Sequence, residues 1–389
     1  MPLGATFAAT LLAPTDARRS PFPRDAPLCQ CRAAKSATSG TSRASVADHG
    51  DVDAAAALNE IAFWLERELA PAFKVQAFRR AAVLIADLPH DELAARLHDG
   101  SLRRMKGIGD RTHQVIEQAL GGDVPDYLAD LRKRGAHPLA EGGEELGALL
   151  RGDLHSHSDW SDGGSPVELM AQAASALGRE YLAMTDHSPS LRVASGLDAG
   201  RLTEQIELVE KLNSQNPSVR ILTGIEVDIL EDGQLDQTPE MLARLDVVVS
   251  SVHSKLRSDR ATMTERMLTG IRNPHTNVLG HCTGRMVSGD RGTRPPSEFD
   301  AERVFAACTE NRVAVEINSR PERQDPPDEL IQLALESGCL FSIDTDAHAP
   351  GQLDFLQYGA ARAAANGVPP ERIITTWPLD QLLDWLQKP

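Results

Sequence analysis

Residues 151–389 alternate short apolar runs with Ala-, Leu- and Glu-rich stretches, and this alternation constrains the fold more than any other feature of the chain. The runs at 152–155, 181–185, 220–227, 247–252, 278–280, 313–317 and 340–344 have the aliphatic, β-branched character of buried strands. Between most of them, stretches such as 166–177, 199–213, 238–245, 300–310 and 327–337 repeat apolar residues at helical spacing. Seven β-α units in succession predict parallel strands covered by helices, and hence a closed α/β barrel.

The polar residues of this region are phased with the strands. Asp153-Leu154-His155-Ser156-His157 with Asp162, Thr185-Asp186-His187, Gly224-Ile225-Glu226, Ser251-Val252-His253, Gly280-His281 and Thr345-Asp346-Ala347-His348 fall at the C-terminal ends of strands. Barrel enzymes assemble their sites at that end. Of the 12 histidines, only His275 lies beyond residue 151 and outside these motifs. Histidines filling core positions would show no such phasing. His155 and His157 are two apart on a strand and so share a face.

Six imidazoles and the carboxylates of Asp162, Glu226 and Asp346 suit about three divalent transition-metal ions: zinc, manganese or iron. No thiolate joins the motifs, which excludes a Cys-type structural zinc site. Cys282 follows His281 and reads as a small packed residue. Glu226 can serve two ions through its two oxygens. Asp186 and Asp344, beside candidate ligands, are expected to orient imidazoles from behind. Asp153 either does the same or pairs with a backbone group.

The first part of the chain has a different character. Residues 1–50 are rich in Ala, Ser, Thr, Pro and Arg and lack the large apolar side chains that a core needs. They read as a disordered N-terminal tail or a mis-assigned start, with an Arg- and Ser-rich transit peptide as the alternative. Residues 51–134 read helical, with Leu58, Ile61, Leu65 and Leu69 at helical spacing before Pro71. Within them Lys106-Gly107-Ile108-Gly109-Asp110-Arg111 leads into a helix, the pattern of a helix-hairpin-helix. Its glycines permit a tight turn, and free N–H groups at the following helix start can hold a phosphate. Lys106, Gly107, Gly109 and Arg111 are the candidate DNA contacts. Residues 135–150 read as a linker, and residues 151–389 as the barrel.

The net charge of −16 argues against a protein that simply coats nucleic acid. Nearly all of the excess acid lies in the barrel, where cations would offset part of it. Five scattered cysteines without a CxxC pair suggest reduced thiols and a cytoplasmic protein. No apolar run is long enough to span a membrane. Oligomeric state is not legible.

The motifs resemble the PHP (polymerase and histidinol phosphatase) family of metal-dependent phosphoesterases over essentially residues 151–389. The likeness is greatest to the PHP domain of bacterial family X DNA polymerases. Carrying it are Met184-Thr185-Asp186-His187-Ser188, Gly224-Ile225-Glu226-Val227-Asp228, Val252-His253-Ser254, His281-Cys282-Thr283-Gly284-Arg285, Glu316-Ile317-Asn318 and Thr345-Asp346-Ala347-His348. The fold implied is a distorted (β/α)7 barrel preceded by a small all-α helix-hairpin-helix domain. The ligand sets implied are His155, His157, Glu226 and Asp346 for one ion; Glu226, His253 and His281 for a second; and Asp162, His187 and His348 for a third. The catalytic centre implied is His155, His157, Glu226 and Asp346. Cys282 departs from the usual Pro of the polymerase relatives.

Asn59-Glu60-Ile61-Ala62, Phe78-Arg79-Arg80-Ala81-Ala82 and Gly107-Ile108-Gly109 resemble the N-terminal domain of the same polymerases. Lyase-active relatives of that domain carry a lysine where this chain has Val115, so no lyase activity of that kind is expected. The polymerase domain itself has no counterpart, since the two parts are separated only by residues 135–150.

The expected function is a metal-dependent phosphoesterase acting on DNA, as a 3′–5′ exonuclease or in other 3′-end processing in DNA repair. Its partner would be gapped or damaged duplex. Arg192, Lys255, Arg285 and Arg320, near strand ends, are the candidate phosphate contacts. The alternative is a small-molecule phosphatase, histidinol-phosphatase-like or acting on nucleotide monoesters. A catalytically silent DNA-binding module is a third reading, and the complete ligand set weighs against it.

Overall fold

A computed structural model describes residues 52–215, 218–289 and 292–387. The expectation for residues 1–50 lies outside them. The first helices are α1 (Ala54–Arg67), α2 (Ala72–Ala86), α3 (His90–His98), α4 (Asp110–Leu120) and α5 (Asp126–Gly135). Asp53 caps α1 by accepting from the Ala55 and Ala56 amides. A short α6 (Glu144–Gly147) lies in the connection to the barrel. Leu146 and Leu150 there are buried in the core of the barrel, so the connection is packed along its second half.

The barrel strands are β1 (Gly152–Asp153), β2 (Tyr181–Met184), β3 (Arg220–Asp228), β4 (Val247–Ser251), β5 (Val278–Leu279), β6 (Ala314–Asn318) and β7 (Phe341–Asp344). They pair in chain order, all parallel. Between and after them run α7 (Val167–Ala176), α8 (Ala199–Ser214), α9 (Pro239–Leu242), α10 (Arg260–Ile271), α11 (Ala301–Glu310), α12 (Asp328–Glu336), α13 (Leu356–Ala365) and α14 (Leu379–Leu386).

Strand alternation divides the residues by destination. Val248, Val315, Ile317, Phe341 and Ile343 face the outer helices in one core. Ala183, Leu222, Val247, Val249, Val278 and Ala314 form another, into which α14 inserts Leu382 and Leu386. The face that begins with Leu222 on β3 continues two residues at a time to Gly224 and Glu226, and that of Ala314 on β6 to Glu316 and Asn318. So one face of these strands is apolar at its start and polar at its C-terminal end.

Between β1 and β7 the closure differs from the other strand pairs. Asp344 Oδ1 accepts from the Leu154 amide at 2.8 Å, and Asp153 accepts from the Thr345 amide at 3.2 Å and from its hydroxyl. A single parallel bridge, Ser156 to Ala347, completes the seam. Two buried carboxylates do here what a ladder of backbone bonds does elsewhere.

The helical region does not form a separate core. Leu58, Ile61, Trp64, Leu102, Val115, Ile116 and Leu131 share one apolar cluster with Val167 and Met170 of α7, Leu182 and Met184 of β2, and Ala347 and Leu353 beyond β7.

Candidate metal centre

The polar ends of the strands converge on Glu226, which is almost fully buried. Five imidazoles surround its carboxylate: His187 Nδ1 and His281 Nε2 at 2.8 Å, His253 Nε2 at 3.2 Å, His155 Nε2 at 3.3 Å and His157 Nε2 at 3.6 Å. Asp346 Oδ1 stands 3.4 Å from His157 Nε2. Asp162 Oδ1 stands 3.5 Å from His187 Nε2 and 3.3 Å from His348 Nε2.

All nine candidate ligands come together, in overlapping groups whose donor atoms lie within 4.8 Å of one another. The groups are His157, Asp162, His187 and His348; His155, Glu226 and His281; His155, His157 and Asp346; and His187, Glu226 and His253. These groups cut across the expected sets: His281 stands with Glu226 and His155, and Glu226 is absent from the group of His155, His157 and Asp346. His157 stands with the Asp162–His187–His348 group as well as with His155, and His187 stands also with Glu226 and His253.

Two observations test whether the residues fit divalent ions. Ligand bonds of about 2.1 Å in a tetrahedral shell place neighbouring donors roughly 3.4 Å apart, close to the separations above. Several donors also lack hydrogen-bond partners although buried: His155 Nε2, both ring nitrogens of His157, His187 Nδ1, Glu226 Oε2 and His253 Nε2. Such atoms are costly unless something else satisfies them. The residues fit.

Burial sets the electrostatics. Desolvation opposes charge on His253, but Glu226 and Asp228 outweigh it and hold the imidazole up at about 10. His155 is likewise held well above its usual range by Glu226 and Glu316 against the effect of burial. His157 goes the other way, to about 3, because burial and the neighbouring His348 and His187 all oppose its charge. Glu226 stays ionised despite burial, its carboxyl held well below the usual range by His253, His155 and His187.

The imidazoles are oriented by residues other than those expected. Glu316 Oε1 lies 2.6 Å from His155 Nδ1, and Asp228 Oδ1 lies 2.5 Å from His253 Nδ1. Asp186 and Asp344 touch no imidazole, which corrects the sequence reading. Asp186 accepts from the Ser158 amide, the Ser158 and Ser161 hydroxyls and Gln205, and so knits the loop after His157. Asp344 and Asp153 belong to the barrel seam, Asp153 through backbone groups as one alternative held. Burial and the pair's mutual repulsion raise Asp344 well above its ordinary value, and burial raises Asp153 to about 6.

The orienting residues did leave a signal. Glu316 sits at a strand end like the ligands, and Asp228 follows Glu226 by two and shares its face. Arg323 left none: it is partly buried on a turn, with Nε 2.9 Å from Asp346 Oδ2. Asp346 itself has φ 52°, a left-handed backbone that non-glycine residues reach only when the surroundings impose it.

The four candidate phosphate contacts separate. Arg320 lies at the centre: its Nη1 is 3.1 Å from both the Asp346 carbonyl oxygen and His348 Nδ1. Lys255 is exposed, 3.9 Å from Glu231, and Arg192 is exposed on a 3-10 turn. Arg285 donates to the carbonyl oxygens of Arg323 and Gln324, so its guanidinium orders a turn.

In the helical region, Gly107 has φ 107° and Gly109 caps α4. The Gly109 amide donates to the Thr112 hydroxyl at 2.9 Å, and that hydroxyl donates back to the Gly109 carbonyl at 3.0 Å. Lys106 and Arg111 are exposed beside this turn, with the Arg111 guanidinium 5.2 Å from the Tyr127 ring centroid. Val115 is buried in the shared core, with no amine to offer a sugar.

Fold and site together define a parallel α/β barrel whose strand ends gather donors fit for divalent metal ions. Comparison with known proteins makes this specific. Residues 153–320 match the model of the PHP domain, and residues 51–122 that of the helix-hairpin-helix domain. The chain therefore carries a PHP domain behind a helix-hairpin-helix domain. It is 35% identical over 244 residues to the DNA polymerase/3′-5′ exonuclease PolX of Bacillus subtilis, a match covering 63% of this chain and 42% of that protein. The chain thus spans less than half the length of that relative. A probable phosphatase of Acetivibrio thermocellus is 32% identical over 172 residues, 43% of this chain and 64% of that one. Among solved structures, histidinol phosphate phosphatase from Lactococcus lactis, complexed with zinc, L-histidinol and phosphate, is similar at a TM-score of 0.40 and 18% identity, over 55% of this chain and 92% of that one. Among the described residues, no helix is long and apolar enough to cross a membrane.

Proposed function

We propose that the protein is a cytoplasmic DNA phosphoesterase that removes or trims 3′ ends in repair, with residues 54–135 holding the duplex and the barrel cleaving it. The observation that carries this reading is the joining of the Gly107–Gly109 turn to the donor cluster through one apolar core. A phosphatase for small monoesters has no need of such a turn. No disulfide joins Cys282, Cys308 and Cys339 among the described residues, which suits a reducing compartment.

Three ions would share the nine donors: one with His155, His157 and Asp346, one with Asp162, His187 and His348, and one at Glu226 Oε1, from which His253 Nε2 and His281 Nε2 stand 3.2 and 2.8 Å away. Zinc, manganese or iron(II) bound there would supply Lewis acidity to a phosphoryl oxygen and lower the pKa of an attacking water. The residues of the chain do the rest. Glu316 and Asp228 hold the His155 and His253 rings in place, so that their Nε2 atoms face the Glu226 carboxylate. Arg323 engages one oxygen of Asp346 and leaves the other toward His157. Arg320, partly exposed beside His348, is placed to contact a phosphate oxygen of the substrate. On the helices, the α4 N-terminus with Lys106 and Arg111 would grip a phosphate of the duplex.

The names of the phosphatase relatives favour the competing reading, a small-monoester phosphatase. Replacing Gly107 by Val separates the two. A side chain there meets Leu84 at 2.7 Å in a left-handed backbone and distorts the turn. On the DNA reading, hydrolysis of a primed duplex falls about tenfold or more while a chromogenic phosphate monoester is hydrolysed as before. Equal rates on duplex for variant and wild type would sink the DNA role of the turn.

A further inference from the structure

Helix α1 does more than carry the helical domain. Its C-terminal turn lies against the 3-10 helix Pro350–Phe355, which begins two residues after His348. Glu66 accepts from the Gly351 amide at 2.9 Å in a buried position, and Arg79 fixes the same carboxylate through Nε and Nη2. Arg67 donates through Nε to Asp354 Oδ2 at 2.6 Å, both groups largely buried. The fit is close: a Cβ on Gly351 would stand 2.0 Å from the Phe63 carbonyl oxygen. The 3-10 helix holds the ligand in turn, since Gln352 Oε1 accepts from the His348 amide at 2.8 Å. Ala347, between the two ligands Asp346 and His348, is buried in the core shared with α1.

We propose that Glu66 and Arg67 are positioning residues for the metal centre, acting through the Pro350–Phe355 turn on His348. The proposal rests on reading the histidine cluster as a metal centre. It makes the helical domain part of the support of one ion, the one held with Asp162, His187 and His348. Glu226, His253 and His281 belong to β3 and to the segments after β4 and β5, which α1 does not touch through these contacts, while Asp346 shares the segment of His348. DNA held on the hairpin and the His348 segment then belong to one packed body, so strain at the hairpin has a short route to the ion.

The test is metal content of the full chain, by elemental analysis after equilibration against manganese over a range of free concentrations. Glu66→Gln removes the charge that Arg79 and Gly351 share. Gly351→Ala wedges the turn away from α1. His348→Ala is the reference for loss of this ion. Glu60→Gln is the control, because it breaks the Glu60–Arg132 pair, which lies within the helices. We expect Glu66→Gln and Gly351→Ala to weaken one ion by about tenfold or more, the range for residues behind a ligand, and to approach the stoichiometry of His348→Ala. Glu60→Gln should keep the wild-type titration. Should Gly351→Ala fail to fold, Arg67→Gln tests the same contact. Unchanged titrations in Glu66→Gln and its companions would overturn the coupling, and so would an equal loss in Glu60→Gln, which would show a general effect of stability. A wild type that takes up no metal would overturn the metal centre itself and the coupling with it.

Discussion

The helices and the barrel bury charge in opposite ways. In the helices, buried ions are matched one to one: Glu60 with Arg132, and Glu66 with Arg79. Arg67, at the junction, is matched with Asp354. Each guanidinium meets a carboxylate at hydrogen-bond distance. In the barrel, six imidazoles crowd three carboxylates, and several buried nitrogens have no hydrogen-bond partner. A matched buried pair is a structural element, while an unmatched cluster of donors costs stability unless cations complete it. The comparison teaches that satisfaction, more than burial, separates the polar groups that hold this fold from those that serve a reaction.

The largest effect should come from Glu226, the carboxylate that most of the imidazoles share. Glu226→Ala should lower hydrolysis roughly 10³-fold, the scale seen when a transition-state stabiliser is lost, and should cost more metal than His187→Ala. Equal metal content in the two variants would refute the sharing. On the helical side, Trp64 is buried against Gly135, and Trp64→Ala should cost about 3–5 kcal/mol in denaturant unfolding, with or without a chelator. A chelator-dependent loss would mean that the helices depend on metal as the barrel does. Glu316→Gln should weaken metal binding about 10–100-fold, read by competition with a chromogenic chelator, because the His155 ring exchanges a charged acceptor for a neutral one. An unchanged affinity would return Glu316 to a purely structural role. The smallest effect belongs to the surface: Lys106→Ala should weaken duplex binding uniformly across sequences and reduce its salt slope by about one. No change in slope would remove Lys106 from the DNA face.

Much of this contrast was legible in the sequence, and the reason is local. The seven strands and the ligands at their ends follow from period and position, and the observed β3, Arg220–Asp228, overruns its expected end by a single residue. The convergence of the nine candidate ligands was legible because each sits in a short motif beside its strand. What stayed hidden depends on contacts between distant segments. Helix α10 was not read, because its apolar residues, Met263, Met267, Leu268 and Ile271, are diluted by Thr and Arg and become a buried face only against the barrel. Arg323 approaches Asp346 across a turn that no periodicity describes. Asp186 and Asp344 looked like partners of imidazoles because they lie within two residues of candidate ligands, but Asp186 is taken up by Ser158, Ser161 and Gln205 and Asp344 by the Leu154 amide across the seam. The docking of α1 on the His348 segment joins residues 66 and 351, a separation beyond any local pattern.

On the proposed reading, the unmatched donors of the barrel cleave DNA presented by the matched helices. That reading is tested most directly with manganese-loaded full-length protein on a 5′-labelled duplex with a recessed 3′ end, with His155→Ala as control. The account predicts a ladder that shortens from the 3′ end and is absent in the variant. An intact primer, with the same preparation still hydrolysing small phosphomonoesters, would contradict it and leave a small-molecule phosphatase in its place.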